Sequence, residues 1–138
     1  MLGFLLITGD KLGWVPHNSD QNAWLQVDLL VTRQLLAIET LGRGSGDIQY
    51  VRTYKVSFSQ DSQQWTWYGH NGNTKVFVGN YNNHNSVRNN FDPVIETRFL
   101  RLYPLECYAY RTLRWELYAC IKCEFVIVTG VWISRVYM

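Results

Sequence analysis

The sequence predicts an all-β domain, a sandwich or jelly roll, and three observations carry that expectation. About seven short runs are rich in β-formers, turn residues separate them at close intervals, and no segment sustains the 3.6-residue apolar period of a helix. The 138 residues are enough for one domain and too few for two of ordinary size.

Trp24-Leu-Gln-Val-Asp-Leu-Leu opens the strand series, with Gln26 and Asp28 set opposite its β-formers. Gln34-Leu-Leu-Ala-Ile-Glu-Thr-Leu follows, then Gly42-Arg-Gly-Ser-Gly-Asp, a loop whose three glycines break any regular element. Tyr50 to Ser59 is the clearest strand. Its alternation puts Tyr50, Arg52, Tyr54, Val56 and Phe58 on one face and Val51, Thr53, Lys55 and Ser57 on the other. Gln60-Asp-Ser-Gln is a turn, and Gln64-Trp-Thr-Trp-Tyr starts the next strand. His70-Asn-Gly-Asn predicts a tight connection, because Asn-Gly adopts positive φ at little cost. Lys75-Val-Phe-Val is another strand, followed by a polar loop from Gly79 to Ser86. Val94 to Tyr103 and Leu113 to Tyr118 complete the regular part. There is no internal repeat and no low-complexity tract.

Composition narrows the function class. With 47% hydrophobic, 15% aromatic and only 17% charged residues, the chain is not disordered. A net charge of +2, from 13 basic residues scattered without a cluster, argues against a nucleic-acid partner. The apolar start, Met1 to Thr8, lacks a basic n-region and a small-residue cleavage site, so it makes a poor signal peptide. No run reaches the eighteen or so apolar residues of a transmembrane span; Phe125 to Met138 is broken by Thr129, Gly130, Ser134 and Arg135 and reads as a strand pair.

The three cysteines are Cys107, Cys120 and Cys123, an odd number that leaves a thiol over. Cys120 and Cys123 form a CxxC, but between two β-like runs, whereas a redox CxxC opens a helix after a strand. Zinc needs two more ligands, and His17, His70 and His84 stand in unrelated loops, so spacing offers no metal site. Nothing matches a Gly-x-Ser-x-Gly elbow or a Ser-His-Asp order; Gly42-Arg-Gly-Ser-Gly precedes a strand instead of opening a phosphate-binding helix. Asp28 and Glu116, with Arg98, Arg101 and Arg114, have the residue types of a carboxylate pair with arginine clamps. Lying within strands beside apolar residues, they are expected instead to pair with one another as structural ion pairs. Trp24, Trp65 and Trp115 are expected in the core, where their rings bury the largest areas.

Residues Leu5 to Cys120 resemble the discoidin family, the domain type at the C-terminal ends of coagulation factors five and eight. The resemblance is carried in order by Trp14-Val-Pro, Trp24-Leu-Gln-Val-Asp-Leu and Ile38-Glu-Thr-Leu-Gly-Arg. Tyr50 to Asp61 with Trp65, Phe77-Val-Gly-Asn, Val87-Arg-Asn and Phe91-Asp-Pro-Val-Ile continue it. Thr97-Arg-Phe-Leu-Arg-Leu-Tyr-Pro and Leu113-Arg-Trp-Glu-Leu-Tyr-Ala-Cys close it, with near-gapless spacing throughout.

That resemblance implies an eight-stranded jelly roll of the galactose-binding-like class, with a flat scaffold end and a loop-bearing end. In different members these loops, or spikes, bind phospholipid, glycans, collagen or other cell-surface proteins. It also implies an extracellular or cell-surface setting, no enzymatic activity and no cofactor. Residues 1–120 then form a partial domain without its first strands, and 121–138 form a tail of unknown origin. The missing part, roughly forty residues, is the size of two strands and a long loop. Cys120 matches the family's terminal cysteine, so a disulfide with a contribution on the order of 4 kcal/mol loses its usual partner. Cys107 stands where the family has tryptophan and is left to pair with Cys120 or Cys123, or with neither. The tail's Phe125-Val-Ile-Val is a candidate substitute for a lost strand.

Carried onto this sequence, the second spike spans about residues 7–13, with Asp10, Lys11 and Leu12 at its tip and Trp14 at its edge. Trp14 is either a stacking platform for a sugar or a residue packed beneath the loop. The third spike is Arg43 to Gln49, polar through Ser45, Asp47 and Gln49, with Ile48 its one large apolar residue. Membrane-binding spikes need paired apolar tips, each contributing about 1.5–3 kcal/mol in lipid. The polar rim therefore favours a cell-surface protein or glycan, in adhesion or recognition, over more than weak contact with phospholipid. A carbohydrate-targeting module attached to a secreted enzyme is the alternative, as is an anionic phospholipid binder.

Overall fold

Strands form where the β-formers lie, but two of them run further than local pattern foretold. The computed structural model describes residues 13–121, 124–129 and 136–137, and among these no helix forms. β1 (Leu25–Leu41) and β2 (Tyr50–Ser59) are followed by four two-residue strands, β3 (Thr66–Trp67), β4 (Gly69–His70), β5 (Asn73–Thr74) and β6 (Phe77–Val78). Then come β7 (Val87–Tyr108), β8 (Arg114–Ile121), β9 (Glu124–Thr129) and β10 (Val136–Tyr137). Eight of them form one sheet, in the order β3-β2-β7-β1-β8-β9 with β6 on β2 and β10 on β1; β4 and β5 make a separate hairpin. All pairings are antiparallel.

The sheet doubles back on itself because β1 and β7 each bend. Leu25 to Asp28 pair with Leu102 to Phe99, while Arg33 to Thr40 pair with Thr97 to Val87. Between Asp28 and Arg33 the register breaks, and four residues of β1 face one residue of β7. The first half of β1 and the second half of β7 thus lie with β2 in wall one. The other halves lie with β8 and β9 in wall two. Each wall turns its apolar face inward. Leu25, Leu35, Ile38, Val51, Tyr54, Val56, Leu100, Leu102, Leu113 and Leu117 form one buried cluster, each aliphatic chain contributing about 1.5–3 kcal/mol. The jelly-roll expectation holds.

The bend is built by Asp28. Its Oδ1 accepts the Leu30 N–H at 2.8 Å and the Arg98 Nε–H at 2.9 Å, and its Oδ2 accepts Arg98 Nη2 at 3.0 Å. Leu30 is left at φ 68°, a conformation few non-glycine residues adopt, with its side chain exposed beside Val31. By contrast, Asn71 and Gly72 take positive φ of 51° and 77° between β4 and β5, the tight turn that Asn-Gly predicts.

Three expectations need correction. Trp24 and Trp65 are half-buried on the outward face of wall one, not in the core, because Arg101 lies between them, 3.9 Å from one ring centroid and 3.8 Å from the other. Trp115 does pack against the core, although partly exposed. In β2, Tyr54 and Val56 point inward as alternation requires, but a register shift between Val51 and Thr53 reverses the pattern. Val51 is therefore buried and Arg52 exposed.

Cys107 and Cys120 are free and lie far apart in the sheet, Cys107 opposite Val51 and Cys120 opposite Gln34, so they do not pair with each other. Cys123 lies outside the described residues. The tail supplies β9, which runs along β8 from Glu116 to Ile121, and β10, which meets Gln26 and Val27 of β1.

Candidate functional site: the loop end

The registers separate two ends. Asp28, Ser59 and Phe99 meet at the scaffold end, whereas Tyr50 meets Tyr108, and Thr40 meets Val87, at the other. The segment 42–49 leaves β1 and enters β2 at that second end, beside 79–86 and the turn 109–113.

The segment is held from below by donors aimed at its backbone. Arg114 Nε donates to the Gly42 carbonyl at 2.8 Å, and burial lowers the affinity of that guanidinium for its proton. The Arg43 N–H donates to Gln49 O at 2.9 Å, and its Nε donates to Ser45 O at 2.9 Å. Gly42 is required by crowding: a Cβ there would lie 2.6 Å from Gln49 O and 2.8 Å from Asn83 Cα, where segments 42–49 and 79–86 touch. Gln49 is buried and accepts from Thr112 Oγ1 at 2.6 Å. Of the five third-spike residues expected at the rim, Ser45, Asp47 and Ile48 are exposed, Arg43 is half-buried as a brace, and Gln49 is an internal strut.

Trp14 is only 2% exposed and belongs to the core cluster. It forms a bridge with Leu113 through backbone hydrogen bonds of 2.8 and 2.9 Å, which holds it against the core. Packing, not presentation, is therefore its role here. Asp10, Lys11 and Leu12 lie outside the described residues.

The exposed rings at this end are ones the sequence reading passed over. Tyr108 is 46% and Tyr110 42% exposed, and Tyr108 stacks on Tyr50 with ring centroids 5.4 Å apart. Arg52 reaches over the Tyr108 ring at 5.6 Å. Tyr81 stands out of segment 79–86, whose backbone is tied down by Asn82 Oδ1, accepting from His84 N and Asn85 N. Arg111 Nη2 donates to the Asp20 and His17 carbonyls and so joins residues 17–20 to the same end. The signal for Tyr108 and Tyr110 was present as two tyrosines in a short turn after a strand. Their exposure depends on Ala109, which takes φ 59° and turns the chain.

The charged strand residues separate. Asp28 pairs with Arg98 as expected, at the scaffold end. Arg101 instead donates to Gln26 Oε1 at 2.8 Å, and Arg114 serves Gly42. Glu116 stands opposite Glu39 on wall two, with Arg88 on the far side of Glu39, and among the described residues no salt bridge joins Glu116 to an arginine. Tyr118 donates to Glu39 Oε2 at 2.7 Å, and hydrogen bonds from Ser86 and Tyr118 hold Glu39 below the usual carboxylate range. With Asp28 and Glu116 in different walls, no carboxylate pair assembles from them. Among the described residues no three His, Cys, Asp or Glu side chains converge on a point where a metal would sit.

A family model, the F5/8 type C domain, matches residues 4–117. The chain belongs to that family. Its general character as a binding module rests on this membership, which agrees with the resemblance carried by its motifs. Mouse lactadherin is 41% identical over 120 residues, covering 86% of this chain and 26% of lactadherin. The chain thus spans about a quarter of that relative. Recombinant discoidin II of Dictyostelium discoideum superposes with a TM-score of 0.71 at 30% identity, over 78% of this chain and 41% of that one. A CBM32 module from a family 31 glycoside hydrolase of Clostridium perfringens shares the fold at a TM-score of 0.59 and 18% identity, over 88% of this chain and 78% of that one.

Proposed function

We propose that this domain is a non-catalytic extracellular binding module that recognises a cell-surface protein or glycan through its loop end. The observation that carries this reading is the pair of half-exposed tyrosines, Tyr108 and Tyr110, on a braced rim with Ser45, Asp47 and Ile48. A tyrosine offers a ring face for stacking and a hydroxyl for hydrogen bonding, with little rotamer entropy to lose. The arginine struts and the Gln49–Thr112 bond hold the rim in one shape, which lowers the ordering cost of binding. Phospholipid fits less well, since Ile48 is the only large apolar residue exposed on segment 42–49.

The test is binding of the purified chain to a glycan array and to phosphatidylserine liposomes, side by side. Glycan binding lost on Tyr110→Ala, with the melting temperature kept, supports the reading and identifies the platform. Tight liposome binding that survives Tyr110→Ala overturns it.

A further inference from the structure

The outward face of an antiparallel wall ordinarily carries polar side chains, yet wall one carries rings and cations in alternation. At the lower level Arg101 lies between the Trp24 and Trp65 rings. One level up, Lys55 and Tyr103 are cross-strand partners, and the Lys55 ammonium sits 4.2 Å from the Trp67 ring centroid and 5.9 Å from that of Tyr103. Trp67 and Tyr103 pack tilted, 4.8 Å apart, and Trp67 remains 42% exposed. At the top Arg52 covers Tyr108. From Arg101 to Tyr108 the track follows β7 for seven residues, roughly 20 Å at the usual strand rise.

Cations outnumber unpaired carboxylates on this face. Arg101, Lys55 and Arg52 line it, against Glu106, which accepts from Thr53 Oγ1; Asp28 lower down is already paired with Arg98. None of this shows in the sequence as a cluster, because β2 and β7 bring the cations together from distant positions.

We propose that the outward face of wall one is a second binding surface, for a sulfated polysaccharide lying along β2 and β7. Pyranose rings place their C–H faces on Trp67 and Tyr103, and sulfates meet the outward N–H groups of Lys55, Arg101 and Arg52. The cations are held in place by the aromatic rings before any ligand arrives, so little side-chain entropy is lost on binding. A single-stranded nucleic acid fits less well, because base stacking needs open ring faces and Arg101 takes one face from each of two tryptophans. This surface meets the rim at Tyr108 but does not depend on Tyr110.

The test is titration of the intact chain with a heparin oligosaccharide over a range of salt, read by tryptophan fluorescence and calorimetry. Lys55→Gln should weaken binding severalfold and lower the log–log salt slope by about one. Lys55→Arg should restore both. Trp67→Ala should weaken binding with the slope unchanged, while Tyr110→Ala should leave heparin binding intact. Absence of heparin binding by a chain that melts cooperatively overturns the proposal. Equal affinity for single-stranded DNA, or heparin binding indifferent to both Lys55→Gln and Trp67→Ala, overturns it as well.

Discussion

The two ends of the domain are each held by arginines, but against different acceptors. At the scaffold end Arg98 grips the carboxylate of Asp28, whose side chain is 5% exposed. At the loop end Arg114, Arg43 and Arg111 donate to backbone carbonyls. A carbonyl that loses its donor is left with one weaker interaction, whereas a buried carboxylate that loses its guanidinium is left as a charge in low dielectric. The scaffold end is therefore a global clamp and the loop end a set of local braces. Such an arrangement lets the loop-end segments change without endangering the fold.

The largest expected effect is at the clamp. Arg98→Ala should cost about 2–3 kcal/mol, below the full cost of breaking a buried pair because the Arg98 side chain is itself 41% exposed. Denaturant unfolding checks it, and Arg98→Ala/Asp28→Asn should recover part of the loss. A brace should respond differently: Arg114→Met is expected to cost about 1 kcal/mol. Its clearer signature is faster amide exchange confined to residues 42–49. If the two variants destabilise equally and globally, the contrast between the ends fails.

Leu30 sharpens the comparison with a change of sign. Its left-handed backbone is imposed by Asp28 and its side chain buries little, so Leu30→Gly should raise stability by about 0.5–1 kcal/mol. A melting temperature that falls instead would mean the exposed side chain packs in solution. The smallest effect is acid sensitivity near the loop end. The folded pKa of Glu39 lies below its unfolded value, so its contribution is complete above the ordinary carboxylate pKa and disappears as pH falls through the folded one. Glu39→Gln should therefore lower stability at neutral pH by less than about 1 kcal/mol, and the difference from the parent should vanish as pH falls below the folded pKa of Glu39.

What could be read from the sequence was what neighbours along the chain decide. The Asn71-Gly72 turn and the strand from Tyr50 to Ser59 depend on local propensity and alternation, and both stand. Asp28 pairing with Arg98 was legible in part, since a carboxylate within a β-run needs a partner. The placing of Glu116 opposite Glu39 was not, because it depends on the register of β8 against β1. Trp24 illustrates a deeper limit. Alternation sets it opposite Leu25, yet a ring of that size argued for the core, and only the stack on Arg101 explains its outward position. The same limit hid the rim: Trp14 and Tyr110 are both large aromatics beside loops, and their opposite exposures follow from the Leu113 bridge and the turn at Ala109.

β7 belongs to both walls, and so does β1, which has a kinetic consequence. Leu25 cannot find Leu102, nor Thr40 find Val87, until long stretches of intervening chain have been gathered in. Neither wall can be assembled first as an independent half, because each lacks two of its strands without the other. Folding should therefore be a single slow, all-or-none event limited by loop closure, and a nascent chain that has not yet released Tyr108 should hold almost none of the final structure.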